Sequence, residues 1–187
     1  MGENQALLAA AADMRFLLGR GYPRERVLTL VGDRHALRAP ERELLRRGVF
    51  APQAARARKK RLLGISRIRG QRVALDGHNL LLTLEAALKG GRLVLGDDGV
   101  VRDISRQGRN HRPGPLTLKA TGLILDALRP AGEILFYLDA PLSKSGQLAA
   151  QLRGLLAQAG LKGDAQAVPV PERQLVVHSG PDRKSVV

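Results

Sequence analysis

The sequence predicts an α/β protein: a small all-helical module over residues 1–69, followed by an α/β domain with a mainly parallel sheet over residues 70–187. Three observations carry that expectation. Before Arg69-Gly70, apolar residues recur at helical spacing, and Gly and Pro punctuate the pattern. After it, short apolar runs alternate with helical segments, the order that gives parallel strands joined by helical crossovers. The charge also divides: residues 1–72 hold 17 Lys and Arg against 6 Asp and Glu, and residues 73–187 hold 14 against 11.

In the front third, Leu7, Ala11, Met14, Leu17 and Leu18 predict a first helix, ended by Gly19 and Gly21. Pro23 opens a second helix carrying Val27, Leu28, Leu30 and Val31. Pro40 opens a third, with Glu41 and Glu43 near its start, Arg46 and Arg47 near its end, and Gly48 as its stop. A fourth follows Pro52 and holds Arg56, Arg58, Lys59, Lys60 and Arg61. Four short helices joined this way admit a helix-turn-helix, on a weak signal.

Beyond Gly70, Val73-Ala74-Leu75 reads as a short buried strand and Asn79 to Leu88 as a helix. Arg92-Leu93-Val94-Leu95 reads as a second strand, ending in Gly96-Asp97-Asp98-Gly99. A polar loop from Ser105 to Pro115 leads to a helix over Leu116–Leu128. Ile134 to Leu138 is the clearest strand, followed by a helix from Gly146 to Ala159. Ala165–Val170 and Leu175–Val177 are weaker strand candidates.

The net charge of +14 points to a phosphate-bearing partner, nucleic acid first, with an acidic protein or lipid headgroups as alternatives. The absence of cysteine excludes disulfides, thiolate zinc sites and cysteine nucleophiles. Aromatics are only 3 %, which argues against a base-stacking platform. Asp13 and Arg15 interrupt the first apolar stretch, so neither a signal peptide nor a membrane span is expected, and the cytoplasm is the expected location. No P-loop, Gly-x-Gly-x-x-Gly or Gly-x-Ser-x-Gly motif is present, which disfavours those nucleotide folds and serine hydrolases.

Acids fall at the carboxyl ends of the expected strands, where open α/β sheets bind ligands. Asp76 follows the first strand, Asp97 and Asp98 the second, Asp139 the third, and Asp182 the last apolar run. Crowded carboxylates want a shared cation, and hard oxygen ligands suit Mg²⁺ or Mn²⁺, which can activate water against a phosphodiester. Asp76-Gly77 and Asp97-Asp98-Gly99 are equally ordinary turns. Ser143, Lys144 and Ser145 stand where a helix N-terminus could hold phosphate, although either serine also serves as a simple N-cap. Arg106, Arg109, His111 and Arg112 form a basic loop that suits a phosphate backbone or solvent alike. His78 reads as a surface histidine, or as a proton carrier beside Asp76.

Asp76-Gly77-His78-Asn79-Leu80-Leu81 resembles the Asp-Gly-Tyr-Asn-Leu-Ile opening of PIN-like nucleases of the NYN type. Over nearly its full length the chain resembles an uncharacterised prokaryotic family that pairs a helical N-terminal domain with a C-terminal PIN-like domain. The matching stretches are Asp13 through Asp33-Arg34, Asp76 through Asn79, Asp97 through Asp103, and Asp139 through Gly146. The resemblance implies a three-layer PIN-like domain in which Asp76, Asp97 or Asp98, and Asp139 ligate metal. Asp182, in Ser179-Gly180-Pro181-Asp182, would close the set, with a proline where the PIN pattern has none.

The expected function is therefore Mg²⁺- or Mn²⁺-dependent phosphodiester hydrolysis, on RNA rather than DNA. Asp76, Asp97, Asp98 and Asp139 are the expected catalytic ligands, with Asp182 as a further metal ligand. Asn79, Ser143, Lys144, Ser145, Arg109 and Arg112 would orient substrate. Arg56, Arg58, Lys59, Lys60 and Arg61 would supply affinity. The alternatives are a non-catalytic RNA-binding protein with a degenerate PIN-like fold, or a binder of a nucleotide or other phosphorylated ligand. A second copy of the chain is admitted as a partner; a membrane is not.

Overall fold

The computed structural model describes residues 3–105 and 113–178. Contacts divide the chain into two units: Met1–Lys60 with Arg92–Ser105, and Arg61–Gly91 with Arg106–Val187. The division is not a single cut. The stretch 92–105, expected within the second domain, folds with the helices of the first.

The first unit contains α1 (Glu3–Gly19), α2 (Arg24–Arg34), α3 (Ala39–Gly48) and α4 (Pro52–Lys59). Ala10, Ala11, Met14, Val27, Leu28, Val31, Leu37, Leu45 and Val49 form its core, so most of the helical spacing read from the sequence is also the packing face; Leu30, expected with it, is 60 % exposed. The turn after α1 needs Gly21, whose φ of 84° lies in the left-handed region. Against these helices lies a hairpin of β2 (Leu93–Leu95) and β3 (Val101–Asp103), paired antiparallel from Leu93↔Asp103 to Leu95↔Val101. Val94 packs against Gly48, where an added Cβ would stand 2.9 Å from its methyl group. Arg92–Leu95 was expected in the parallel sheet. Its neighbour instead follows directly, because Gly96 to Val100 is short enough for a hairpin and Gly99 takes a φ of 81° to close it.

The second unit contains β1 (Arg72–Asp76), α5 (Gly77–Leu88), α6 (Pro115–Leu128), β4 (Glu133–Asp139), α7 (Ser145–Gln158), β5 (Gly163–Val168) and α8 (Pro171–His178). Its three strands are parallel in the order β1-β4-β5, with Asp76 opposite Tyr137 and Asp139 opposite Val168. Phe136 and Leu138 of the central strand are fully buried, together with Leu81, Leu148, Leu152 and Ala165. Leu175–Val177, an expected strand, lies in α8. Pro171 at its first position and Glu172 in its first turn favour a helix start and outweigh the β-branched pair.

Gly163 stands opposite Ile134 with no room for a Cβ beside the Ile134 carbonyl oxygen, which is backbone and cannot turn away. Gly163→Ala is therefore expected to lower unfolding free energy by about 1–3 kcal/mol, measured by urea titration. One buried acid is also fully engaged: Glu85, 5 % exposed, accepts a 2.6 Å hydrogen bond from the Thr117 hydroxyl. Among the described residues no helix is long and apolar enough to cross a membrane.

Candidate functional site

The carboxyl edge of the three-stranded sheet gathers part of the expected set. Asp76 ends β1 and caps α5: its carboxylate accepts the Asn79 backbone N–H at 3.0 Å and the Asn79 side-chain amide at 2.6 Å. This arrangement fixes the carboxylate at the strand end and explains the Asp-x-x-Asn spacing, because the Ncap acid faces the third residue of the helix. Burial pushes the Asp76 carboxyl above the ordinary range. The Asn79 hydrogen bonds oppose that shift, and the charges of Asp139 and Glu172 add to it.

Asp139 ends β4, the neighbouring strand. It too is raised, by burial first and then by Glu172. Among the described residues its carboxylate accepts no hydrogen bond within normal distance; the nearest cationic candidate, His78 Nδ1, is 3.9 Å away. That nitrogen cannot donate, because it already accepts the Asp139 backbone N–H at 2.9 Å. The proton of the neutral ring therefore sits on Nε2.

His78 is 3 % exposed, so the surface reading is corrected: the ring fastens the first turn of α5 to the end of β4. Gly77 makes this approach workable, since a Cβ there would come within 2.6 Å of Leu138 Cδ2. His78→Ala leaves the partly buried Asp139 amide unpaired and is expected to cost about 1–2 kcal/mol, checked by chemical unfolding.

The loop after β4 differs from its expected role. Ser145 is buried, and its hydroxyl donates to the Ala140 carbonyl at 3.2 Å, so it closes the loop instead of facing a phosphate. Ser143 and Lys144 are exposed, and Lys144 holds a left-handed backbone with φ 65° at the N-cap of α7.

Glu172, just inside α8, was missed. Its signal was an acid shortly after the β5 run, in Val170-Pro171-Glu172, overlooked in favour of Asp182. Asp182, Arg109 and Arg112 lie outside the described residues.

Asp97 and Asp98 occur elsewhere, in the β2–β3 turn of the first unit, and arginines hold both. Arg15 grips Asp97 with two hydrogen bonds of 2.8 and 2.7 Å, and the Phe50 backbone N–H adds a third at 3.1 Å. Asp98, with no exposed side-chain surface, receives two bonds from Arg102 at 2.8 and 2.7 Å and one from Arg58 at 3.3 Å. Burial pushes both acids up, but their arginine partners outweigh it and hold both below the ordinary carboxylate range. Their oxygens are thus occupied by guanidinium, which removes them from the ligand set.

On α4, Arg56 and Lys59 are exposed, as are Lys60 at its C-cap and Arg61 beyond it, and none of the four makes an ion pair among the described residues, whereas Arg58 turns inward to Asp98.

Two aspartates on adjacent parallel strands, with a glutamate charge near both, are what remains of the expected cluster. No three His, Asp or Glu side chains among the described residues converge as a ready-made metal set. Two carboxylates still fit a Mg²⁺-like ion, which keeps several waters and takes the rest of its ligands from substrate phosphate.

Residues 65–185 match the family described as a domain of unknown function, DUF5616. The chain belongs to the DUF5616 family. Residues 6–61 match a second description, protein of unknown function DUF434. The DUF5616 segment contains Asp76, Asn79, Asp139 and Glu172. It also contains the hairpin 92–105, which folds with the helices of the DUF434 segment. The DUF5616 protein is 29 % identical over 160 residues to an uncharacterized protein, MJ0935, of Methanocaldococcus jannaschii; the match covers 85 % of this chain and 77 % of that relative. No solved structure matches it.

Proposed function

We propose that this protein is a divalent-metal-dependent phosphodiesterase of PIN-like type acting on RNA, with its reaction centre at the β1 and β4 strand ends. The observation that carries this reading is Asp139: a partly buried carboxylate on the strand next to that of Asp76, raised by burial first and then by the charge of Glu172, and without a hydrogen-bond donor of its own among the described residues. Carboxylates arranged this way gain most from a cation.

Asp76 and Asp139 would hold Mg²⁺ or Mn²⁺, which supplies an activated water and neutralises charge on the scissile phosphate. Asn79 orients Asp76, and His78 fixes the backbone of Asp139. Ser143 and Lys144 stand in the loop that follows Asp139, where an exposed hydroxyl and ammonium suit a phosphate oxygen. The surplus of Lys and Arg over Asp and Glu supports RNA as the partner.

The test is Mn²⁺ calorimetry on metal-free wild type and Asp139→Asn, paired with cleavage of a labelled RNA. Binding by the wild type that is lost in the variant, with cleavage following the same pattern, is the expected result. Absence of Mn²⁺ binding in the wild type would remove the mechanism.

A further inference from the structure

Three guanidinium groups surround one ring in the first unit. Arg24, Arg58 and Arg102 place their Cζ atoms 4.6, 4.9 and 4.8 Å from the centroid of Phe50. Cation–π attraction explains each contact singly. It does not explain why three like charges share one ring. Among the described residues Asp98 is the only carboxylate paired with any of the three, and it serves Arg58 and Arg102 together.

Arg24 has no carboxylate partner among the described residues. One of its terminal nitrogens donates to the Val49 carbonyl at 2.6 Å and also to the Arg46 carbonyl. The other acids of this region are already committed. Glu25 pairs with Arg46, Glu43 lies within reach of Arg46 and Arg47, and Asp97 is held by Arg15. Burial, and then the charges of Arg58, Arg102 and Arg46, disfavour the charged form of Arg24, while Glu25 alone opposes them. Among the described residues the three guanidiniums thus share one paired carboxylate, Asp98, which leaves a positive surplus around the ring.

Donors are left over on two arginines that share the Phe50 ring. Arg24 keeps its Nε and one terminal nitrogen without a partner among the described residues, and Arg58 keeps its Nε and one terminal nitrogen. Arg58 is 54 % exposed on its side chain, so the cluster opens to solvent on its side. Planar forks of this kind match the oxygens of a phosphate. The ring supports the guanidiniums and is covered by them, which makes it a shelf for cations and not a platform for a base. Arg56 and Lys59 on the same helix as Arg58, and Lys60 at its C-cap, extend the positive charge.

We propose that Arg24 and Arg58, braced by Phe50, Arg102 and Asp98, form a binding site for a phosphodiester of an RNA strand, read without regard to base. The site deepens the phosphodiesterase reading by naming where substrate backbone is held, and it fails independently of that reading, because binding without metal is what it predicts.

The full chain is titrated against a fluorescent oligouridine in EDTA, where cleavage cannot occur, over a series of salt concentrations. Arg24→Gln/Arg58→Gln is expected to weaken binding at least about tenfold at low salt, and to flatten the log–log salt slope by about 1.4, or about 0.7 for each lost phosphate contact. Arg26→Gln, an exposed arginine on α2 without an ion pair, is expected to change affinity less than about twofold. Oligoadenosine is expected to bind like oligouridine.

Should the double variant unfold, the wild type decides the matter: the Nε–Hε signals of Arg24 and Arg58 are expected to move in nuclear magnetic resonance spectra on adding the oligonucleotide. Unchanged affinity in a folded double variant, unmoved Nε–Hε signals, or strong preference for one base sequence would each overturn the proposal.

Discussion

Asp139→Asn is expected to reduce metal-dependent RNA cleavage by at least about a hundredfold, equivalent to about 2.7 kcal/mol of transition-state stabilisation, and at the same time to make the protein more stable at neutral pH. The two effects share one cause. The Asp139 carboxyl is raised by burial and by Glu172, so the folded protein holds its proton more tightly than the unfolded chain does. Folding is then favoured by Asp139 below the ordinary carboxylate range, and that advantage disappears as pH rises through the raised value.

At pH 7 the wild type therefore carries a charge that the folded state disfavours, and asparagine removes it. Thermal unfolding at pH 7 and near pH 3 checks this point: the variant's advantage should be present at the first and closed at the second. Adding Mn²⁺ should stabilise the wild type and leave the variant unmoved, since only a state that binds a ligand gains from it. A variant that loses stability at pH 7, or keeps cleavage, would return Asp139 to the structural residues.

Asp98→Ala is expected to do the opposite, with no direct part in chemistry. The Asp98 side chain is wholly buried between Arg102 and Arg58, and its loss leaves one partly buried and one half-exposed guanidinium without their shared partner. Breaking a buried pair costs about 3–5 kcal/mol, and the exposure of Arg58 places this one near the lower end, at about 3 kcal/mol. Its pH dependence runs in reverse. Burial raises Asp98, but Arg102 and Arg58 more than offset it, so the folded value is depressed. Its contribution is complete above the unfolded value of about 4 and is lost as pH falls through the folded one. The gap between wild type and Asp98→Ala in urea midpoint should therefore be widest at neutral pH and narrow in acid. Equal midpoints at pH 7 would contradict the arginine pairing as a source of stability.

These two aspartates also mark what the sequence can and cannot disclose. Each follows an apolar run that reads as a strand in the linear sequence. The run before Asp139 is long, apolar and followed by a helical pattern, so its place as a buried parallel strand was legible, as was Asp76 through its spacing to Asn79. The run before Asp97-Asp98 has a partner only six residues downstream, in Val101-Arg102-Asp103, and that local pairing overrides the alternation of strand and helix.

The helical faces of α1 and α2 could be read because Met14, Val27, Leu28 and Val31 keep a 3.6-residue period into the core. The arginine cluster could not. Arg24, Phe50, Arg58 and Arg102 are scattered along the chain, and only tertiary folding sets their charges around one ring. Ser145 and His78 show a related limit: a hydroxyl or an imidazole beside a strand end serves backbone closure as readily as it serves a ligand, and only its partner tells which.

The return of residues 92–105 to the first unit bears on the order in which the protein is made. A ribosome that has released the four leading helices has not yet supplied the acids for Arg15 and Arg58, and these side chains wait until the hairpin has emerged, with β1 and α5 synthesised in between. Expressed without the hairpin, the leading segment would leave Arg15 and Arg58 without the acids that pair with them in the folded chain.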